Sequence, residues 1–460
     1  MGLRTNVWRS VARAVWLGAV WFVTAGSPAL AQFETAQISG VIRDATGGVI
    51  PGATITATND NTGGATIQVT DDSGFYLFPN LQPGVYEVTA ELQGFKKAVK
   101  SSLQLDAAAK ITSDFTLETG ELTEEVTVTA EAAPLQTDTA VRKTVEARDV
   151  QQLMLSGRNP VGLALLKPGV VGGTFNSFGF DNLGNGGYSM SGSRPDENLV
   201  TVDGAIALRT RSTGAILGVM NVDALQEVQV LSANYMPEFG RASGGQIRMV
   251  TKSGGRDLTG SVYWYKRDEL LDANSWSRNR SDEPGVSDGP APFDYDQYGF
   301  TVGGPVTIPG LFNDSRDKLF FFWAEEWVDF FRVDTSFQTV PTERMRQGDF
   351  GELLDPNNPF FDGSREIIDP RTGQPFPGNV IPSNRLSPVG MAMLNAYPVP
   401  NGQFPDGDNV VLQSPNPRDQ RKDNIRVDYQ LNGSNRISGR WSHYEWTAID
   451  SYRGGFTFAH

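Results

Sequence analysis

Asn198-Leu199-Val200-Thr201-Val202-Asp203-Gly204, followed by Val222-Asp223-Ala224-Leu225-Gln226-Glu227-Val228-Gln229-Val230, is the stretch that decides the fold. Leu199 to Val202 reads as a strand closing on the turn pair Asp203-Gly204. Val222 to Leu225 reads as a short helix, Val228 to Ser232 as a strand, and Ile247 to Thr251 as another before Ser253-Gly254-Gly255. Upstream, Asn159-Pro160 caps and starts a helix carrying Val161, Leu163, Leu165 and Leu166, which stops at Pro168-Gly169. A Gly-rich loop from Gly172 to Gly192 follows. Residues 135–255 therefore read as a compact α/β globule. Its glycines make no phosphate site, because within this stretch neither G-x-x-x-x-G-K-S/T nor a strand-bound G-x-G-x-x-G is present, and no G-x-S-x-G nucleophile elbow occurs there.

Composition removes most chemistry from the rest of the chain. With no cysteine there is no disulfide, thiolate nucleophile or Cys-ligated zinc, and the two histidines, His443 and His460, cannot form a His-x-x-x-His metal helix. Isolated carboxylates offer no recognisable catalytic pair, so no catalytic residue, metal site or cofactor is expected. The 39 Lys+Arg against 53 Asp+Glu, a net charge of −14, argue against nucleic acid as a partner.

Outward toward the amino terminus, Arg4, Arg9 and Arg13 precede the apolar run Val15 to Val23 and the small-x-small site Ala29-Leu30-Ala31. Residues 1–31 read as a cleaved secretory signal, since the apolar run is short for a spanning helix. From about Ala36 to Leu117, short β-type runs alternate with turns: Ile38 to Arg43, Thr54 to Asn59, Thr66 to Thr70, Phe75 to Pro79, Tyr86 to Leu92 and Ile111 to Leu117. This spacing predicts a small β-sandwich over residues 32–118. Phe75, Tyr76, Phe78, Tyr86 and Phe95 read as core or turn-packing residues rather than an aromatic carbohydrate platform. Ser39-Gly40-Val41-Ile42-Arg43-Asp44, Ile50-Pro51-Gly52-Ala53, Asp72-Ser73-Gly74-Phe75-Tyr76 and Leu81-Gln82-Pro83-Gly84-Val85-Tyr86 resemble the carboxypeptidase regulatory-like domain. The resemblance implies a non-catalytic prealbumin-like sandwich, with carbohydrate binding only a fold-level association.

Residues 119–134 form a linker in which Glu124, Glu125, Val126, Thr127, Val128, Thr129 and Ala130 are β-prone, with Val126 and Val128 on one side and Thr127 and Thr129 on the other. Such a strand could be a plain connection or could add to another protein's sheet edge. The globule beyond it resembles the plug of TonB-dependent outer-membrane receptors. The likeness runs through Ser191-Gly192-Ser193-Arg194-Pro195, the two stretches quoted first, and Glu238-Phe239-Gly240-Arg241-Ala242-Ser243-Gly244-Gly245. That resemblance puts the TonB box at Glu124 to Ala130 and implies a TonB-type periplasmic energy-coupling protein as partner. Arg194, Asp203, Glu227, Glu238 and Arg241 are then expected as a polar network fixing the plug inside a charged lumen, with substrate contact the rival reading.

Beyond residue 256 the pattern changes again. Ile425, Val427, Tyr429 and Leu431 alternate with Asn424, Arg426, Asp428 and Gln430, and after Asn432-Gly433-Ser434-Asn435 the alternation resumes with Ile437, Gly439 and Trp441 against Arg436, Ser438 and Arg440. This is a hairpin with a strict period of two. After a signal and a plug it predicts strands of a transmembrane antiparallel β-barrel, in contact with outer-membrane lipid. Tyr298, Phe300 and Val302 are expected to face lipid, and Lys318 to Trp327, with Phe320-Phe321-Phe322-Trp323, to form another strand. From about Val340 to Gln420 the chain reads as a long surface loop with short local structure, in which Asp355, Asp362 and Asp369 lack calcium-loop spacing and read as solvated charges. These features together resemble the Oar-like branch of TonB-dependent transporters.

The fold expected is thus mainly β: a sandwich, an α/β plug, and the first strands of an incomplete barrel. A plugged barrel needs about 22 strands, whereas residues 258–460 hold candidates for about six to eight, so the chain reads as the amino-terminal part of a larger protein. The family resemblance implies TonB-dependent passage of a bulky substrate, such as a siderophore, oligosaccharide, peptide or protein, across the bacterial outer membrane. A surface adhesin or carbohydrate-binding scaffold without transport is the alternative.

Overall fold

The computed structural model describes residues 35–120, 125–127, 135–136, 141–153, 155–172, 188–208, 216, 220–235, 240, 242–274, 276–279, 288–358, 363–402, 407–433 and 435–448. The expected signal at 1–31 lies outside the described residues, as does most of the Gly-rich loop. The chain divides into two compact units: Met1–Thr259 with Val302–Trp323 and Ile425–Arg440, and Gly260–Thr301 with Ala324–Asn424 and Trp441–His460. Among the described residues no helix is long and apolar enough to cross a membrane.

The first unit begins with strands β1 (Ala36–Asp44), β2 (Thr54–Asn59), β3 (Ala65–Val69), β4 (Phe75–Leu81), β5 (Gly84–Glu91), β6 (Lys97–Leu105), β7 (Lys110–Thr112) and β8 (Phe115–Leu117). Two further short strands join them, β9 (Glu125–Thr127) from the linker and β10 (Leu135–Gln136) from the start of the stretch that follows it. They form two sheets, ordered β3-β2-β5-β6-β9 and β10-β7-β1-β4, with β8 also on β1. Alternate residues of both sheets meet in one core containing Ile38, Ile42, Ile55, Tyr76, Phe78, Val88, Leu103 and Phe115. Gly40 is required at its place: any Cβ there would meet the Ser113 carbonyl and the Tyr76 ring, and Tyr76 donates its hydroxyl to that same carbonyl. Burial raises the Tyr76 pKa, so the phenol stays neutral as donor.

Three sequence expectations need correction here. The run expected from Ile111 to Leu117 is two strands, β7 and β8, because the chain breaks at Ser113-Asp114 to bond β1 through the Asp114 carboxylate and Val41 N–H (2.8 Å). Strand β6 was not expected, because Lys97, Lys100, Ser101 and Ser102 interrupt its apolar alternation and Ser102 sits at φ 60°. Phe75 is exposed, while Tyr76, Phe78 and Tyr86 are buried as expected.

The plug-like region holds β11 (Val141–Glu146), β12 (Val170–Gly172), β13 (Tyr188–Met190), β14 (Leu199–Val202), β15 (Ala205–Ile206), β16 (Leu225–Ala233) and β17 (Gln246–Thr251). Its main sheet is ordered β11-β16-β17-β14-β15, with β14 and β17 parallel. Every residue of β14 and β17 is buried, as in a sheet covered on both faces. The helix expected after Asn159 is a 3₁₀ helix, Pro160–Leu166, whose Asn159 side chain accepts from Val161 N–H at 3.1 Å. Val222–Ala224 is likewise 3₁₀, capped by Asn221.

Strands β18 (Thr259–Asp268), β19 (Phe293–Pro305), β20 (Leu319–Gln338), β21 (Val410–Pro415), β22 (Arg418–Asn432) and β23 (Asn435–Ala448) form a sheet ordered β18-β19-β20-β22-β23, with β21 on β20. Among the described residues this sheet does not close. One face of β22 buries Gln420, Lys422, Asn424 and Asp428, while Ile425, Val427 and Leu431 are exposed on the other. Tyr298 is exposed on the corresponding face of β19, where Phe300 and Val302 are half-buried. Over Asn424–Leu431 this is the apolar-out, polar-in arrangement of a membrane barrel wall, whereas β20 buries Phe320, Phe322, Val328 and Phe330, and Arg421, on the same side of β22 as Ile425, pairs with Glu325 and Asp423.

Candidate functional site

The expected polar network resolves into separate groups. The turn after β14 places Asp203 at φ 44° and Gly204 at φ 78°, the pair of positive angles that a tight two-residue hairpin needs. There the Asp203 carboxylate accepts from Thr251 N–H (2.8 Å) and Thr251 Oγ1 (2.6 Å), joining the ends of β14 and β17. It also pairs with Arg440 of β23, which donates further to Val202 O at 3.0 Å. Arg426 of β22 donates to Thr251 O at 2.9 Å and forks onto Asp428 at 2.8 and 3.2 Å. Asp428 in turn accepts from Ser438 (2.6 Å) and from Gln82 of the sandwich (3.2 Å). One end of the plug-like sheet is therefore anchored by two arginines from adjacent long strands.

Glu227 lies elsewhere, and it reaches the sandwich. Ala107 N–H donates to Glu227 Oε1 at 2.7 Å, and Gln229 Nε2 donates to Ala107 O at 2.8 Å and to Glu227 at 3.0 Å. All three residues are buried, so the peptide of Ala107 is gripped from both sides by β16. Arg248 of β17 donates to Gln229 Oε1 at 3.2 Å, and burial lowers its guanidinium to about 10. Arg194 is exposed, and its backbone N–H donates to Glu197 at 2.8 Å. Glu238 and Arg241 lie outside the described residues.

Asn198 is a positioning residue that the sequence reading passed over. Its Oδ1 accepts from Gly245 N–H (2.8 Å) and Ser193 Oγ (3.0 Å), and its Nδ2 donates to Tyr188 O. A Cβ at Gly244 or Gly245 would strike Asn198, Ser193 or Met190, which explains why two glycines stand together there. Burial holds Tyr188 neutral, its pKa pushed up to about 12.

Of the TonB-box candidates, Glu125, Val126 and Thr127 form β9, while Glu124, Val128, Thr129 and Ala130 lie outside the described residues. β9 runs parallel to β6 with Lys97 opposite Glu125, Ala98 opposite Val126 and Val99 opposite Thr127.

In the second unit Lys422 Nζ meets Glu326 at 2.6 Å, with side chains only 4% and 1% exposed, and Tyr263 donates to the same carboxylate at 2.9 Å. Among the described residues no three His, Asp or Glu side chains are grouped to hold a metal. Asp355 accepts from Asn357 N–H at 2.8 Å within its own turn, and Asp369 is paired with Arg385 rather than simply solvated. Asp362 lies outside the described residues.

Comparison with known proteins gives two family matches: a carboxypeptidase regulatory-like domain over residues 37–118 and an outer membrane beta barrel domain over 250–458. A curated relative, the TonB-dependent transporter Oar of Myxococcus xanthus, is 32% identical over 315 residues, which is 65% of this chain and 27% of the relative. Solved structures with a likeness include the ferric enterobactin receptor of Pseudomonas aeruginosa, at 11% identity and TM-score 0.36, covering 68% of this chain and 34% of the receptor. The outer membrane transporter YddB of Escherichia coli matches at 11% identity and TM-score 0.36, covering 63% and 31% of the two chains. The chain spans about a quarter of the curated relative's length. It is a homologue of the Oar TonB-dependent transporter, located in the bacterial outer membrane, with a carboxypeptidase regulatory-like domain ahead of outer-membrane β-barrel sequence.

Proposed function

We propose that the full-length protein carries a bulky substrate across the outer membrane in a TonB-dependent cycle. Its parts are a signal at 1–31, a sandwich at 32–118, a coupling segment within 119–134, a plug at 135–255 and barrel strands from 256 onward. A TonB-type periplasmic protein pairs with Glu124 to Ala130 and pulls, and the plug leaves its seat. No covalent chemistry is involved in this cycle, and the Oar relative is described as a TonB-dependent transporter. Siderophores, oligosaccharides and peptides or proteins are the substrate classes to screen.

The observation that carries this reading is the anchoring of the plug-like sheet by Arg426 and Arg440 at Thr251 and Asp203. Polar anchors suit a part that must move. Their attraction is offset by desolvation, so exchanging them for water costs far less than separating packed apolar surfaces. The test is deletion of residues 124–130 in the full-length protein. Uptake should fall to background while outer-membrane insertion and substrate binding persist; undiminished uptake would overturn the reading.

A further inference from the structure

Two seams bound the sandwich, and they differ in kind. Toward the plug-like sheet, the turn between β6 and β7 presents the Ala107 peptide, whose N–H donates to Glu227 at 2.7 Å and whose carbonyl accepts from Gln229 at 2.8 Å. Ala107, Glu227 and Gln229 are all buried. Arg248 braces Gln229 Oε1 at 3.2 Å, and the turn holds Ala108 at φ 52°, a left-handed angle that an alanine seldom takes and that neighbouring structure must enforce.

Toward the long-stranded sheet the contacts are single and wetter. Arg256 N–H donates to Asn61 O at 2.9 Å, and Gln82 reaches Asp428 at 3.2 Å. Residues 254–256 go with the long strands, since a Cβ at Gly254 would strike the backbones of Phe321 and Gly304. Arg256 is exposed, and Asp428 keeps Arg426 and Ser438 when Gln82 departs. Opening this seam therefore exchanges part-exposed bonds for water, which costs little. Opening the other strips both sides of one buried peptide and takes a carboxylate from its N–H, and charge-assisted bonds are the stronger kind.

We propose that the sandwich and the plug-like sheet move as one body, with Glu227 and Gln229 the positioning residues that couple them, and that the seam which opens lies between the sandwich and the long strands at Asp428 and Arg256. This rests on the reading that the plug leaves its seat. By linkage, whatever fixes the sandwich to the long strands must then hold the plug in place.

The test locks the wetter seam with Asn61→Cys and Arg256→Cys, in full-length protein after any cysteine outside these 460 cysteine-free residues is replaced by serine. A backbone bond of 2.9 Å brings the two Cα atoms within about 7 Å, inside the reach of a disulfide. Load is applied in an optical trap to the protein in a bilayer, through a tether clicked to an azide-bearing amino acid in place of Glu131. In the reduced form the plug should give way in one low-force event; oxidation should abolish that event. Adding Glu227→Ala with Gln229→Ala should bring it back in the oxidised form, because the plug can then leave without the sandwich. Glu227→Gln, which keeps the side chain's volume, makes the same test where the double variant fails to insert.

An event untouched by oxidation would overturn the one-body inference, as would an oxidised form that the variants at 227 and 229 do not release. Failure of the disulfide to form would overturn it too, since the seam would be absent. A reduced form with no such event would overturn plug displacement itself, and this inference with it.

Discussion

In the sandwich, Ile55 and Ala57 of β2 are fully buried while Thr54, Thr56 and Thr58 lean outward; in β22, Asn424 and Asp428 are buried while Ile425, Val427 and Leu431 are exposed. Both strands alternate with period two, yet each turns the opposite chemistry toward its protected side. The sandwich is stabilised by withdrawing apolar surface from water. The long-stranded sheet instead keeps ionic pairs such as Glu326–Lys422 on its protected side and offers Val262, 87% exposed, and Trp264 to the surroundings. That arrangement is stable only where the surroundings are apolar, because in lipid the exposed face needs no covering and the polar face does.

Substitutions can break this contrast. The largest effect is expected in the sandwich: Phe78→Ala empties a fully buried site beside Tyr76 and should destabilise the domain by about 3–5 kcal/mol, read from denaturant unfolding. Val262→Lys sharpens it. On a water-facing strand a lysine there changes stability by less than about 0.5 kcal/mol. Facing mid-bilayer it costs about 2–4 kcal/mol, read from folding of the full-length protein into vesicles.

A smaller effect is expected where the two chemistries meet. Asp203→Asn removes the charge opposite Arg440 while keeping shape, and should loosen the anchored sheet end by about 1–3 kcal/mol. Both side chains are about one-fifth exposed, which keeps the cost below that of a fully buried pair. Faster amide exchange at Thr251 would report it; unchanged exchange would count against the anchor.

The smallest effect is confined to the long loop. Arg385 donates to both carboxylate oxygens of Asp369 (3.0 and 2.6 Å), Arg371 N–H adds a bond at 2.9 Å, and together they hold the carboxyl down at about 2. A carboxyl lowered by folding stabilises above its unfolded pKa and loses that contribution as pH falls from about 4 toward about 2. Local exchange near residues 369–385 should therefore rise in that window, and Arg385→Ala should shrink the pH dependence to the part held by the Arg371 N–H.

How much was legible in the chain follows from whether the cause was local. Leu199–Val202 has the bounds read from sequence, because an apolar run stopped by Asp203-Gly204 carries its own ends. The faces of β22 were legible too, since alternation is a nearest-neighbour property. β6 was missed because its lysines and serines hide the alternation, although Ala98, Leu103 and Leu105 are buried. The partners of the anchor were not legible at all: Asp203 and Arg440 stand 237 positions apart, and nothing local to either marks the other. Glu227 shows the same limit, since its binding group is a backbone N–H 120 positions away.

The account turns most on which face of the long strands meets lipid. Single cysteines from Asn424→Cys through Leu431→Cys, placed in full-length protein after any cysteine outside these 460 cysteine-free residues is replaced by serine, can be spin-labelled in vesicles and probed with oxygen and with a polar relaxation agent. Positions 425, 427, 429 and 431 should favour oxygen, and 424, 426, 428 and 430 the polar agent or neither, with a period of two. Polar-agent access at the odd positions, or no period at all, would contradict the assignment of this sheet to a membrane wall.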